Sequence, residues 1–96
     1  MNYWSWSGKY IGQKYNEHLY SCKGKPLGYF YESEVYDFNG KYIGETLDNN
    51  RLIVDRNKRG KKKSSKIKPC NIAGTSYADY VGYVMRVGYE DFEINF

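Results

Sequence analysis

The feature that most constrains this chain is a short motif that returns every sixteen residues. Residues 6–12 read Trp-Ser-Gly-Lys-Tyr-Ile-Gly, residues 22–28 read Cys-Lys-Gly-Lys-Pro-Leu-Gly, and residues 38–44 read Phe-Asn-Gly-Lys-Tyr-Ile-Gly. Glycine stands at the same two positions of every copy. A short fixed period of this kind indicates a fold made from one repeated supersecondary unit.

Each copy has the pattern of a β-hairpin. The first glycine stands where a tight turn needs a positive φ, and Asn39-Gly40 is the strongest of these turn signals. We therefore predict positive φ at Gly24 and Gly40. Aromatic and β-branched residues on either side favour strands. A second glycine inside a strand is typical of a bend or a close backbone approach, so we expect the strands to crowd around a central axis.

The fourth copy begins as the others do and then departs. Residues 53–57 match residues 35–39, but Lys58 takes the place of the turn glycine, and the expected return strand comes much later, at 79–83. We expect the intervening insertion to be a loop that can be deleted without unfolding the protein, because it supplies no strand of a unit. The predicted units are residues 3–18, 19–34, 35–50 and 51–88, with an insertion at 58–78 and a closing strand at 89–96 that pairs with the first unit.

The repeated pattern, aromatic-(Asp)-x-x-Gly-Lys-x-x-Gly, resembles that of the four-fold β-flower domain of bacterial proteins. The resemblance covers residues 3–57 and 79–96, and the long basic insertion departs from it. It implies an all-β fold in which four tandem β-hairpin units surround a pseudo-fourfold axis. It implies no activity.

Composition agrees with one small β domain. The chain has 96 residues, 19% of them aromatic and twelve of them tyrosine, whose amphipathic rings suit half-covered sheets. Cys22 and Cys70 lack a CxxC spacing and are expected to be free thiols, with a single disulfide between them as the alternative. Neither a leader pattern nor a long apolar run is present, so we expect a cytoplasmic protein without membrane contact.

The net charge of +4 conceals a division within the chain. Residues 56–68 contain eight of the fifteen basic side chains and no acid, whereas the rest of the chain carries a net charge of −4. Such a segment is either a solvated loop or an arm that binds a polyanion such as nucleic acid. The candidate polyanion-binding residues are Arg56, Lys58, Arg59, Lys61, Lys62, Lys63, Lys66 and Lys68.

Aromatic residues that do not recur in every unit are candidates for a ligand surface, because packing of the repeat does not require them. They are Trp4, Trp6, Tyr29 and Tyr31.

Few residues indicate chemistry. His18 is the only histidine and falls in a predicted turn between units, so a structural role is favoured. Asp37 and Asp55 occupy equivalent positions beside turns, where an aspartate accepts backbone N–H groups. The sequence shows no metal-ligand spacing and no phosphate-loop pattern. We therefore predict no catalytic residue, no metal and no cofactor.

Three functions compete. The favoured one is a non-catalytic interaction module that docks a protein partner or another copy of itself. The alternative is binding of nucleic acid through the basic loop 56–68. The third is a small hydrolase with its site at the repeat axis, and the absence of a second histidine and of a nucleophile motif argues against it.

Overall fold

The computed structural model describes residues 1–93 and confirms the predicted all-β class. The strands are β1 (Asn2–Ser5), β2 (Tyr10–Tyr15), β3 (His18–Ser21), β4 (Pro26–Tyr31), β5 (Glu34–Tyr36), β6 (Tyr42–Leu47), β7 (Arg51–Asp55) and β8 (Tyr89–Asp91), and one 3-10 helix spans Arg56–Lys58. Within the described residues, no helix has the length and hydrophobicity needed to cross a membrane.

Seven strands close into a barrel. Each strand from β1 to β7 pairs antiparallel with the next, and β1 then pairs parallel with the first half of β7, with Trp4 opposite Arg51. Closure satisfies the backbone groups that an open sheet leaves at its edges.

The closing strand takes a different place from the predicted one. β8 pairs antiparallel with the second half of β7, with Val54 opposite Glu90, and does not pair with the first unit. The edge of β1 is already occupied by β7, so only the remaining half of β7 is available. Residues 94–96 of the predicted strand 89–96 lie outside the described residues.

The repeated turns have the predicted backbone conformation. φ is +96° at Gly8, +80° at Gly24 and +87° at Gly40. In each turn the glycine N–H donates to the carbonyl oxygen three residues earlier, at 2.9 Å. The prediction of positive φ at Gly24 and Gly40 is confirmed.

The second glycine of each motif stands opposite a large residue of the preceding strand. Gly12 pairs with Tyr3, and the equivalent glycines pair with Leu19 and Val35. A bulge follows each of these large residues. A Cβ at Gly28 would overlap the carbonyl oxygen of Tyr36 on the next strand. The glycine therefore allows adjacent strands to approach closely, as the repeat predicted.

The core is built from side chains of all seven barrel strands, with two from several of them. Large residues within it have no solvent exposure. These are Ile11, Leu19, Val35, Tyr36, Leu52 and Ile53.

The long connection after β7 differs from the predicted return strand. Residues 79–83 form no strand, and the chain between the 3-10 helix and β8 instead runs across the end of the barrel that carries the three glycine turns. A return strand would need a free edge of β7, and that edge is already paired, with β1 along its first half and with β8 along its second half.

Candidate interaction surface

Residues 61–87, called the strap below, bind the three glycine turns one after another. At the third turn the Lys63 N–H donates to the Gly40 carbonyl at 2.8 Å, and the Lys66 N–H donates to the Phe38 carbonyl at 3.0 Å. The same pair of bonds recurs at the second and first turns. The recurring bonds run from Ile72 to Gly24, from Thr75 to Cys22, from Tyr80 to Gly8 and from Tyr83 to Trp6.

The turn glycines make room for the strap. A Cβ at Gly24 would overlap the carbonyl oxygen of Ile72, and the other two turn glycines meet the strap carbonyls of Lys63 and Tyr80 in the same way. The two donors at each turn are three residues apart, which is the repeat of a polyproline II segment. The strap is therefore held at every turn by the same pair of backbone contacts.

Trp4 and Trp6 hold the last part of the strap. The Trp4 Nε1–H donates to the Ala78 carbonyl at 2.9 Å, and its indole stacks on the Tyr80 ring with centroids 3.9 Å apart. The Trp6 Nε1–H donates to the Val84 carbonyl at 2.9 Å. Both tryptophans are buried, with 4% and 6% exposure, so they are not the open ligand surface that the sequence suggested.

The other two aromatic candidates lie near the beginning of the strap. Tyr29 is buried, and its hydroxyl donates to the Ser64 carbonyl at 2.9 Å. Tyr31 is 49% exposed, but the Lys63 ammonium lies over its ring at 3.9 Å. The four candidates therefore serve mainly contacts within the chain, because the strap covers the faces that the barrel alone would expose.

Arg51, at the start of β7, also holds the strap, and it was not among the residues predicted from the sequence. Its side chain is buried, and Nη2–H donates to the Val81 carbonyl at 2.8 Å. The guanidinium also lies 4.1 Å from the centre of the Tyr83 ring. The sequence gives one signal of a buried role, which is that this charged residue directly precedes the apolar run at 52–54.

Three of the eight predicted polyanion-binding residues make ion pairs within the chain. Lys58 lies 3.0 Å from Glu34 and 2.9 Å from Glu45, Lys61 lies 3.0 Å from Glu34, and Arg59 pairs with Glu90. These cations are therefore not part of a free arm, because β5, β6 and β8 supply carboxylates that the local sequence lacks.

The other five cations form no ion pair within residues 1–93. Lys63 and Lys66 lie over the rings of Tyr31 and Tyr29, at 3.9 and 5.0 Å. Arg56, Lys62 and Lys68 are exposed.

The carboxylates that receive Lys58 and Lys61 are nearly buried. Glu34 and Glu45 are opposite each other on β5 and β6, and they accept hydrogen bonds at 2.8 Å from the hydroxyls of Tyr36 and Tyr42 respectively. Burial by itself raises the pKa of Glu34. Hydrogen bonds from the tyrosine hydroxyl and the two ammonium groups outweigh burial and lower this pKa from 4.5 to about 2.

The remaining candidates have structural surroundings. His18 is the first residue of β3, and the centre of its ring lies 5.9 Å from that of the Phe38 ring. The Asp37 carboxylate accepts the N–H groups of Asn39 and Lys41 at 2.9 Å, and Asp55 accepts that of Asn57 at 3.0 Å, so the predicted turn contacts are confirmed. Both cysteines are free.

A cleft of about 340 Å³ beside Phe92 is lined by apolar side chains and by charged ones of both signs, including Lys41 and Asp37. Neither His18 nor a cysteine lines it. Among residues 1–93, no three His, Cys, Asp or Glu side chains come together as a metal site.

The outer face of the last part of the strap is apolar and exposed. Val81, Val84 and Val87 are 84%, 92% and 100% exposed and recur every three residues, whereas Tyr80 and Tyr83 are about half exposed and pack one side against Trp4 and Trp6. The exposed apolar side chains of this segment form the surface called the ridge below. They are Tyr77, Tyr80, Val81, Tyr83, Val84, Met85 and Val87.

Comparison with known proteins adds one finding. A family model described as "4-fold beta flower protein" matches residues 2–71, which include all seven barrel strands and the beginning of the strap. No curated protein and no solved structure matches the chain.

Proposed function

The chain belongs to the 4-fold beta flower protein family, and from this premise we propose that it is a non-catalytic interaction module that docks another protein chain through its ridge. Membership of the family carries no reaction with it, so the proposal depends on the surface of this chain.

The observation that carries the proposal is the exposure of seven large apolar side chains within eleven consecutive residues. A soluble domain seldom leaves a contiguous apolar patch of this kind unless a partner covers it. Aromatic residues and methionine, which are enriched at protein interfaces, make up four of the seven.

Rigidity of the ridge supports the same function. Two backbone bonds to the first turn, two indole N–H groups and the Arg51 guanidinium all hold residues 78–84. An extended segment that is ordered before binding loses less conformational entropy when a partner arrives. The barrel therefore acts as a support that presents the ridge.

The non-catalytic part of the proposal has its own support. General acid–base catalysis needs a group that is free to exchange a proton with a substrate. The Glu34 carboxylate is occupied by Tyr36, Lys58 and Lys61.

A photoreactive phenylalanine derivative placed at position 84 tests the proposal in cells. Tyr15 provides the matched control, because it is 54% exposed and lies at the end of β2 remote from the glycine turns. We expect illumination to give covalent adducts with protein from position 84 and few from position 15. Equal yields at both positions, or no adduct at either, would contradict the proposal.

Binding of a polyanion is a second candidate, favoured by the exposure of Arg56, Lys62 and Lys68. If these three cations contact phosphates, log affinity for duplex DNA should fall against log salt with a slope of about −3. Replacing all three with glutamine should remove the binding. No affinity at about 50 mM salt, where such contacts are strongest, would exclude this function.

A further inference from the structure

Deepening the proposed function, on which it rests, we infer that the partner of the ridge is a second copy of this chain. Two ridges pair antiparallel about a two-fold axis that passes between Gly82 and Tyr83.

The residues of the ridge are self-complementary about this point. In a two-fold interface, the same surface of each copy must fit its own reverse. Reversing residues 79–86 places Asp79 against Arg86 and Val81 against Val84. Opposite charges then meet at both ends and equal apolar side chains meet beside the axis.

The outward-facing row is compatible with the same centre. Val81, Val84 and Val87 are the most exposed side chains of the segment, and Ala78, one step earlier in the three-residue period, is also exposed. Antiparallel pairing about the point between 82 and 83 sets Val81 against Val84 and the small Ala78 against Val87. The valines alone are also symmetrical about Val84, so the charges select the register and the apolar row, with Ala78 included, fits it.

Both charged residues are available for such pairing. Asp79 accepts the Tyr10 N–H at 2.9 Å through one carboxylate oxygen only, and the Arg86 guanidinium lies over the Tyr89 ring, 5.6 Å from its centre. Neither makes an ion pair within residues 1–93. A second copy would supply each with an opposite charge.

The basic segment does not oppose this arrangement. The strap runs from the third turn, where the cations are concentrated, to the first turn, where the ridge lies. Antiparallel pairing of two ridges directs the two cationic segments away from each other, which limits their repulsion at moderate salt. The ridge is a single segment of eleven residues, whereas a standard interface takes about 20–30 residues from each partner, so the dimer should be weak and concentration-dependent.

Analytical ultracentrifugation of the purified full chain, from about 1 µM to about 1 mM, tests the inference. We expect wild type to pass from monomer to dimer over this range. Val84→Glu should weaken dimerisation at least about tenfold, because it sets a charge against Val81 of the second copy. Tyr15→Glu, which changes exposed surface at the other end of the barrel, should dimerise as wild type does.

Charge exchange makes the test specific for a second copy. Asp79→Arg and Arg86→Asp should each weaken self-association about tenfold, because like charges then meet twice in each dimer. An equimolar mixture of the two variants should recover dimerisation, because every meeting pair is again opposite in charge. Circular dichroism should show that both variants are folded. If Asp79→Arg is unfolded, the loss of self-association in Arg86→Asp still tests the pairing, because the Arg86 side chain makes no hydrogen bond to the barrel within residues 1–93.

The outcomes separate this inference from the proposed function. A wild type that stays monomeric at about 1 mM overturns the inference, as does a dimer that ignores the Val84 and charge-exchange variants. In both cases, adducts of foreign protein from position 84 would leave the interaction module standing. Absence of those adducts as well would overturn both.

Discussion

The hairpin units repeat in sequence, whereas the strap repeats only in its contacts. Residues 6–12, 22–28 and 38–44 share their glycines because each unit must make the same turn from its own residues. The strap binds the same three turns with Lys63, Ile72 and Tyr80, which have nothing in common as side chains. Backbone N–H and C=O groups make these bonds, so almost any residue can stand there.

Only one of the two segments requires a particular amino acid. Glycine is needed on the turns, both for positive φ and because the strap carbonyl lies against the Cα. The strap needs only to present its backbone groups to the turns. A contact between two segments can therefore restrict the amino acids of one segment and leave those of the other unrestricted.

The largest effect is expected from removing part of the strap. Deleting residues 58–76 and joining the ends with Asn-Gly removes four of the six backbone bonds to the turns and both ammonium partners of Glu34. Buried carboxylates without countercharges are costly, so we expect the free energy of unfolding to fall by about 4 kcal/mol or more. Urea unfolding followed by near-ultraviolet circular dichroism measures it.

This expectation is opposite to the one drawn from the repeat alone, which treats the insertion as dispensable. Replacing residues 67–70, which lie between two binding points, with Gly and Ser provides the control and should cost less than about 1 kcal/mol. A deletion variant as stable as wild type would show that the strap contributes nothing to the fold.

A smaller effect separates the two requirements on the turn glycines. Gly24→Ala should destabilise by about 3 kcal/mol, because it combines strain at φ +80° with overlap on the Ile72 carbonyl. Gly60 has φ +94° but nothing within 4 Å of a Cβ, so Gly60→Ala should cost only about 1 kcal/mol. Equal losses in chemical denaturation would mean that the strap does not press on the turns.

The smallest effect is expected in acid. The pKa of Glu34 is lower in the folded protein, about 2 against 4.5, so its contribution to stability is full above pH 4.5 and is lost as the pH falls toward 2. Wild type should therefore lose more stability than Glu34→Gln over this interval. Glu32→Gln, at an exposed turn position, should follow wild type in thermal melts at each pH. Parallel curves for all three proteins would contradict the proposed charge cluster.

Local features were predictable because their causes are local. The glycine turns, the roles of Asp37 and Asp55 beside them, and the opposition of small and large residues across strands all follow from φ, hydrogen bonding and strand pairing within one unit. The resemblance to the β-flower family also depended on these residues, and the family match confirms it.

The contacts of the basic segment could not be predicted from its neighbouring residues. A run of lysines with no neighbouring acid reads as an exposed arm. Lys58 and Lys61 nevertheless meet carboxylates of β5 and β6, up to 27 positions earlier in the chain. A large separation in sequence also explains why Trp4 and Trp6 appeared to be available for a ligand. Their hydrogen-bond partners are more than seventy positions away.

By itself, the sequence determined the class of fold, the three regular turns and the place where the repeat breaks, because a period of sixteen residues leaves few other ways to bury its apolar positions. Only the tertiary structure decided that the break becomes a strap, which cations it neutralises and which apolar side chains it leaves outside. These outcomes depend on backbone groups that every residue carries alike, and on contacts between residues far apart in the chain. Neither leaves a pattern in the order of the amino acids.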